Sequence, residues 1–181
     1  MFRAVVLFCA VLALTKAASR PFGEPRAITP VNQCLGSAAG LLPLNTYIAG
    51  CTSQPCELPQ GRDAVVQIIF RAPYTIHTMR TVAFAYIGIV PLPYDLGEKS
   101  VTCNYLTNTY CPVVENEVIS YTLNMPIEEF MPAGTQLPIE FRIQDDSNRN
   151  IVCIRVTVRI TTGAASFGKL GAQNATMTVE V

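Results

Sequence analysis

Residues 137–160 read LPIEFRIQDDSNRNIVCIRVTVRI, two alternating runs on either side of an acidic segment. In both runs apolar side chains occupy every second position and mostly polar side chains stand between them. This period of two, with one polar face, is typical of antiparallel strands. The DDSN segment at 145–148 favours a β-turn, and it lacks the twelve-residue pattern of a calcium loop. The stretch therefore predicts two antiparallel strands, with Arg155 and Arg159 on a solvated face of the second.

Three other apolar runs, at 64–70, 82–89 and 118–123, are separated by turn residues. They are short and rich in β-branched residues, as strands are. We expect Pro91 and Pro93 to end the second run. No window of about a dozen residues has a helical period, and the 13 prolines argue against long helices. The chain is predicted to be all-β, a sandwich of about seven short strands.

Several of these runs are apolar on both faces, which a simple sandwich does not require. In the first run, Val65 and Ile69 face one way and Val66, Ile68 and Phe70 the other. One explanation is a thick core, or a sheet face that a loop or a partner covers. The other is an apolar gap between the sheets that is large enough to hold a ligand. The pattern alone leaves both open.

Composition divides the chain into four parts. Residues 1–17 have the form of a secretory signal peptide, with a positive start and an apolar run too short to span a bilayer. Residues 18–32 are rich in proline and arginine and predict a flexible lead-in. Residues 33–160 are expected to form one domain. Residues 161–181 shift to glycine, alanine and threonine, which predicts a loosely ordered tail.

Six cysteines remain once the signal peptide is removed. An even number in a secreted domain predicts three disulfides, and spacing alone leaves their pairing open. A zinc site is disfavoured because no two short cysteine pairs of matching spacing face each other. The only N-glycosylation sequon begins at Asn174. The six are Cys34, Cys51, Cys56, Cys103, Cys111 and Cys153.

Charge and histidine content exclude several functions. Removing Arg3 and Lys16 with the signal peptide leaves 11 of the 13 basic residues against 13 acidic ones. This balance argues against nucleic-acid binding, which needs a basic face. His77 is the only histidine, and no catalytic motif surrounds it. We therefore expect neither an enzyme nor a metal site, and no cofactor.

The segments around the cysteines resemble the Niemann-Pick type C protein two family, whose members are secreted lipid carriers of the ML (lipid-recognition) domain class. The resemblance extends over residues 33–160, nearly the whole predicted domain. Its specificity lies in the ordered set of six cysteines, the Cys-Pro pair and the Gln-Asp-Asp turn. The matching stretches include QCLGS at 33–37, CTSQPCEL at 51–58, PLPY at 91–94, CP at 111–112, MP at 125–126 and QDD at 144–146.

The resemblance implies an immunoglobulin-like sandwich of two antiparallel sheets with a hydrophobic tunnel between them. It implies the disulfides Cys34–Cys153, Cys51–Cys56 and Cys103–Cys111. It also places five side chains in a lipid pocket, and ordinary core packing is the alternative for each of them. We expect an apolar rim that touches membranes, with Lys99 beside lipid headgroups. The pocket residues are Val66, Tyr94, Ile127, Met131 and Phe141, and the rim residues are Leu92 and Phe130.

The predicted function is a carrier that binds a sterol, a fatty acid or a related hydrophobic ligand and transfers it to membranes or receptors. Three alternatives remain open. They are a lipid-dependent interaction module in innate immune recognition, an arthropod-type carrier of semiochemicals or fatty acids, and a structural domain with a solid core. We expect a monomer that is secreted to the extracellular space, with the lysosomal lumen as the alternative destination.

Overall fold

The computed structural model describes residues 27–36 and 40–163, and strands make up most of this part of the chain. The only helices among the described residues are two single turns of 3-10 helix, Gly97–Ser100 and Thr102–Tyr105. The all-β prediction is therefore confirmed. The strands are β1 (Asn32–Gln33), β2 (Asn45–Ile48), β3 (Cys56–Pro59), β4 (Asp63–Arg71), β5 (Met79–Ile87), β6 (Val90–Tyr94), β7 (Val118–Pro126), β8 (Gln136–Asp145) and β9 (Asn150–Thr161).

The strands form two sheets that enclose one apolar core. The larger sheet has the order β1–β9–β8–β5–β6, and β3 also pairs with β9. The smaller sheet has the order β2–β4–β7. Neighbouring strands are antiparallel, as predicted, except that β3 runs parallel to β9. The stretch at 137–160 forms the β8–β9 hairpin at the centre of the larger sheet.

Strand β4 shows how the alternating pattern forms the core. Ala64, Val66, Ile68 and Phe70 point inward and are buried. Val65 points outward and is exposed. The inward residues belong to a continuous cluster that draws on both sheets. The apolar residues that the sequence shows on both faces of this strand therefore divide into a packed inner face and a partly exposed outer one.

Pro91 and Pro93 do not end the second apolar run, contrary to expectation. They lie within β6, which pairs with β5 through the register Tyr86↔Pro91 and Phe84↔Pro93. Strand β6 is at the edge of the larger sheet, where a residue without an N–H is tolerated because one side of the strand needs no ladder partner. The two-residue turn that joins β5 to β6 begins with Gly88 at φ +64°, a conformation that glycine adopts without strain.

The last residues of the predicted lead-in are packed against the domain. Thr29 is buried, and its hydroxyl donates to the carbonyl of Cys51 at 2.5 Å and accepts from the amide of Ile48 at 2.9 Å. Asn32 then enters β1 and pairs with Arg155 of β9. The ordered domain thus begins before residue 33, because the polar groups of this segment are satisfied by β2 and β9 instead of by water.

Three disulfides join the cysteines in the pairing that the resemblance implies. The Cys34–Cys153 bond ties the segment after β1 to β9 across a sequence separation of 119 residues. Closing so long a loop restricts the unfolded chain by about 5 kcal/mol on the chain-entropy account. The Cys51–Cys56 and Cys103–Cys111 bonds close separations of 5 and 8 residues and hold local turns.

Some predictions lie outside the described residues. These are the signal peptide at 1–17, most of the lead-in, Asn174, and the tail beyond residue 163. Within 27–36 and 40–163, no helix has the length and apolarity that crossing a bilayer requires.

Candidate functional site

Two predicted pocket residues lie on facing sheets and point into the same core. Val66 of β4 is paired with Ile48 on one side and Leu123 on the other. Phe141 of β8 is paired with Ala83. Val66 and Phe141 are almost completely buried, at 1% and 2% exposed, and both belong to the continuous core cluster. A ligand that enters between the sheets at this level has to displace them.

Tyr94 connects this core to the edge of the molecule. It is paired with Ala83 of β5, and Ala83 is paired on its other side with Phe141. The three residues therefore form one row across the sheet that ends at the edge strand β6. Its hydroxyl donates to the carbonyl of Pro126 at 2.5 Å, which links β6 of one sheet to the end of β7 in the other. Burial raises the pKa of Tyr94, and the nearby carboxylates of Glu128 and Asp63 raise it further. Tyr94 therefore spans the gap between the sheets where they separate.

The loop that follows β7 carries the other two predicted pocket residues. Ile127 exchanges backbone hydrogen bonds with the turn before β4: its amide donates to Arg62 at 2.9 Å and its carbonyl accepts from Gly61 at 2.7 Å. Ile127 is buried, while Met131 is half-buried against the core. The side-chain amide of Gln60 donates to the carbonyl of Met131. The loop is thus held against the β3–β4 turn.

A surface cavity of about 440 Å³ opens beside this loop. Apolar Ile127 and Phe130 form part of its wall, and Phe130 is 81% exposed. The other walls are charged, and acidic residues outnumber basic ones. We call this cavity the mouth; its lining residues are Gly61, Arg62, Asp63, Pro126, Ile127, Glu128, Glu129 and Phe130.

Lys99 forms an ion pair with Asp63 at 3.4 Å, at one side of the mouth, and both side chains are partly exposed. An exposed pair of this kind is weak. Contact of Lys99 with lipid headgroups stays a prediction.

The seven predicted positions lie in different environments. Val66, Ile127 and Phe141 are core residues in this conformation. Tyr94 and Met131 are half-buried between the core and the surface. Phe130 and Leu92 are exposed, as rim residues should be. Their role toward a ligand stays a prediction.

An exposed apolar tip on the β5–β6 hairpin is a feature that the sequence analysis included only in part. Ile87, Ile89, Val90 and Leu92 are all exposed, and Ile89 in the turn is 92% exposed. Clusters of this kind on a protein surface usually mark contacts with proteins or membranes. We call these four residues the apolar tip. In the sequence, the glycine at position 88 indicates this feature. It begins the tight turn of a hairpin within a stretch that otherwise has the pattern of one continuous apolar run.

A buried ionic cluster lies on the outer face of the larger sheet, and sequence reasoning missed it. The Glu140 side chain has no exposed surface and accepts from Arg142 at 2.6 Å, from Arg155 at 3.0 Å and from the Tyr86 hydroxyl at 2.9 Å. Burial alone would raise the pKa of Glu140, but the hydrogen bonds from these partners and from the Leu35 amide lower it. Arg155 is therefore not on a solvated strand face, because it neutralises a buried carboxylate.

Glu140 also lies close to Cys34 and Cys153. The two sulfur atoms are bonded to each other, so they offer no thiolate to a metal. His77 is exposed on the segment before β5. The acidic turn at 145–148 is held by Asp145, which accepts from the amides of Ser147 and Arg149 at 2.9 Å each. It is a β-turn, as predicted.

A second cavity, of about 470 Å³, lies on the outer face of the smaller sheet. Tyr47, Val65 and Gln67 line it together with the turn between β2 and β3. These side chains point away from the core, in contrast to Val66. The cavity is therefore separate from the space between the sheets.

Comparison with known proteins identifies the domain. A sequence profile described as an ML domain matches residues 29–160. The curated relatives include the NPC intracellular cholesterol transporter 2 of Danio rerio, 28% identical over 62% of this chain and 73% of that protein. The transporter of the same name from Mus musculus is 23% identical over 87% of this chain and 96% of that protein.

A solved structure, a Niemann-Pick type C2 protein from the Japanese carpenter ant, has the same fold. It superimposes with a TM-score of 0.64 and 21% identity, over 73% of this chain and 99% of that one. The immunoglobulin-like sandwich expected from the sequence is therefore confirmed.

Proposed function

Because this chain belongs to the ML domain family, we propose that it is a carrier that binds a sterol or another small hydrophobic lipid between its two sheets. The curated relatives of similar length are cholesterol transporters by name. The nature of the lipid carried by this chain is a separate question, since identities of 23–28% leave the lining of the pocket free to differ.

The observation that carries the proposal is an apolar path from the mouth to the core. It runs from the exposed Phe130, past the half-buried Met131 and Tyr94, to the buried Val66 and Phe141. Exposure falls along this set of residues. Most of the mouth wall is charged, so we expect a lipid to enter past the apolar side chains of Ile127 and Phe130 and to continue along Met131 and Tyr94.

Binding of this kind needs neither catalysis nor many polar contacts. Each Å² of apolar ligand surface removed from water contributes roughly 25 cal/mol, and ligand cavities usually reach about 300 to 1,000 Å³. The core has to open by side-chain rearrangement. The Tyr94–Pro126 hydrogen bond links the two sheets beside the mouth. We infer that this link moves or breaks when a ligand enters.

Secretion and transfer to membranes belong to the same proposal. Three disulfides in so small a domain are typical of oxidising compartments. The apolar tip lies on the hairpin whose second strand ends at Tyr94, so it provides an apolar surface that continues to the proposed entrance. A carrier docked through this hairpin would pass its lipid to a bilayer without exposing it to water.

A filled-pocket variant tests the proposal. Val66→Phe adds a ring where the ligand would lie, and we expect it to weaken displacement of a fluorescent sterol or fatty acid by at least about tenfold. Val113→Phe is the matched control, since Val113 is as fully buried but lies with Ile76, away from the pocket positions. Overpacking costs each variant about 1 to 3 kcal/mol of stability. Equal loss of binding in both variants, or no binding by the wild type, would contradict the pocket.

A further inference from the structure

Residues 27–32 pass around the edge of the smaller sheet. Followed backward, the chain leaves the larger sheet at Asn32, which pairs with Arg155 of β9. At Thr29 it lies along the free edge of β2, where the Thr29 amide donates to the carbonyl of Thr46 at 2.8 Å. At Ala27 it forms part of the wall of the cavity of about 470 Å³ on the outer face of this sheet. These points lead from one sheet, around an edge, to the outer face of the other.

This outer cavity is mostly apolar. Its wall includes Val65, which is 38% exposed, and the half-buried Tyr47. No acidic or basic side chain is among the described residues that line it. Tyr47 pairs with Gln67, so Val65 is its diagonal neighbour, and the two side chains are close enough to form one surface. An apolar hollow on a protein surface usually marks a contact site.

The segment that precedes Ala27 has a side chain suited to this cavity. Residues 18–26 read ASRPFGEPR and lie outside the described residues, and Phe22 is their only large apolar side chain. Phe22 stands five residues before Ala27, and an extended chain covers up to about 17 Å over five residues. Because Ala27 is itself in the wall, the Phe22 ring is within reach of the cavity.

The rest of the segment favours docking through this ring alone. Pro21 and Pro25 each fix one φ angle and restrict the residue before them, so the free segment has fewer conformations to lose on docking. Arg20, Glu24 and Arg26 carry charges, and burying a charge in an uncharged cavity without a partner is costly. The chemistry of the wall therefore selects the aromatic ring and leaves the charged side chains in water.

We propose that the lead-in docks on the outer face of the smaller sheet, with Phe22 in the outer cavity against Tyr47 and Val65. The inference is independent of the proposed carrier function, because this cavity is separate from the space between the sheets. Docking removes apolar surface from water. It also extends the cover that Thr29 gives to the free edge of β2, and an uncovered edge strand is open to pairing with other chains.

A single tryptophan reports this docking, because the chain contains no other. Phe22→Trp in the full secreted protein should emit at a shorter wavelength than free N-acetyltryptophanamide, and acrylamide should quench it several-fold less. Val65→Lys in the same background should move both quantities most of the way to the free values, since it places an ammonium group in the apolar wall.

Val118→Lys in the Phe22→Trp background is the matched control. Val118 is an outward valine of the same sheet and is 39% exposed. It pairs with Arg71, six residues along β4 from Val65, which is about 20 Å. This variant should leave the emission wavelength and the quenching unchanged.

Several results would overturn the inference. One is emission of Phe22→Trp equal to that of the free compound, and another is an effect of Val65→Lys no larger than that of Val118→Lys. Emission that moves to the free value on dilution would place the ring in a second copy of the chain. A secreted chain whose intact mass shows that it begins after residue 22 would also exclude the docking.

Hydrogen exchange tests the native ring without a tryptophan. Phe22→Ser should speed amide exchange in residues 47–52, which form one side of the outer cavity, relative to the wild type. Exchange in the β8–β9 hairpin should stay the same. Equal exchange rates at 47–52 in the two proteins would contradict the docking.

Discussion

Glu140 is the side chain whose environment differs most from its sequence context. It lies between the alternating apolar residues of β8, where an exposed carboxylate is the ordinary expectation. Instead it is covered by the segment after β1, and two arginines and a tyrosine surround it. Arg155 and Arg142 also stack over Tyr86 and Phe84 at 4.5 and 4.7 Å. Alternation placed Glu140 on the correct face, but it carries no information about which segment covers that face.

Glu140→Gln should destabilise the protein by about 3 kcal/mol or more, because it leaves two largely buried guanidinium groups without a neutralising charge. Urea unfolding at pH 7 measures the loss, and Glu98→Gln, an exposed acidic residue of the first 3-10 turn, serves as the control. The pKa of Glu140 in the folded protein is lowered. The contribution of its carboxylate to stability is therefore fully present above the unfolded-state pKa of about 4.3. It is lost as the pH falls through the folded-state pKa.

The acid dependence gives the same variant a second readout. Wild-type stability should decline below about pH 4.3, while Glu140→Gln should decline less over the same interval. Parallel pH profiles for the wild type and Glu140→Gln would show that the cluster does not hold a charged carboxylate.

At the scale of elements, the β5–β6 hairpin joins the proposed entrance to the apolar tip. Its turn exposes Ile89 almost completely, and its second strand ends at Tyr94. We expect Ile89→Ser to slow lipid transfer to phosphatidylcholine vesicles several-fold, because less apolar surface enters the bilayer. Equilibrium lipid affinity should not change, since Ile89 does not line the pocket. Stopped-flow transfer of a fluorescent sterol measures the rate.

The matched control for this prediction is Val114→Ser, which changes another exposed apolar side chain in the segment after the Cys103–Cys111 disulfide. It should leave the transfer rate unchanged. A rate for Ile89→Ser equal to that of the wild type would assign transfer to another surface.

The elements themselves could largely be predicted from sequence. Alternation predicted β8 and β9, and short apolar runs rich in β-branched residues predicted β4 and β7. The proline-containing β6 was missed because proline excludes central strands but not edge strands, and edge position depends on the sheet order. The pairing of β3 with β9 in parallel was likewise hidden, since only four residues contribute. Register and sheet order are properties of the assembled chain.

The candidate site was harder to predict than the fold. Resemblance to a family gave positions such as Val66 and Phe141, and the structure places them in the core between the sheets. The Glu140 cluster takes its side chains from β5, β8 and β9 and carries no local pattern in the sequence. Its members come together only when the larger sheet forms, so the pattern along the chain does not show them.

For the molecule as a whole, we propose that an apolar interior between two disulfide-tied sheets opens to accept a lipid. The Cys34–Cys153 disulfide and the Glu140 cluster both hold the segment after β1 against the outer face of the larger sheet. The interior at the mouth end is linked across the sheets by the Tyr94–Pro126 hydrogen bond.

Native mass spectrometry of the protein purified from a secreting cell culture tests this account most directly, when combined with organic extraction of the bound material. We expect a mass increment equivalent to about one lipid per chain, which extraction removes and which a sterol or another small hydrophobic lipid accounts for. The extracted protein should regain the increment when the lipid is returned. A protein that carries no lipid after purification and takes up none from sterols, alcohols, esters or fatty acids would contradict the account.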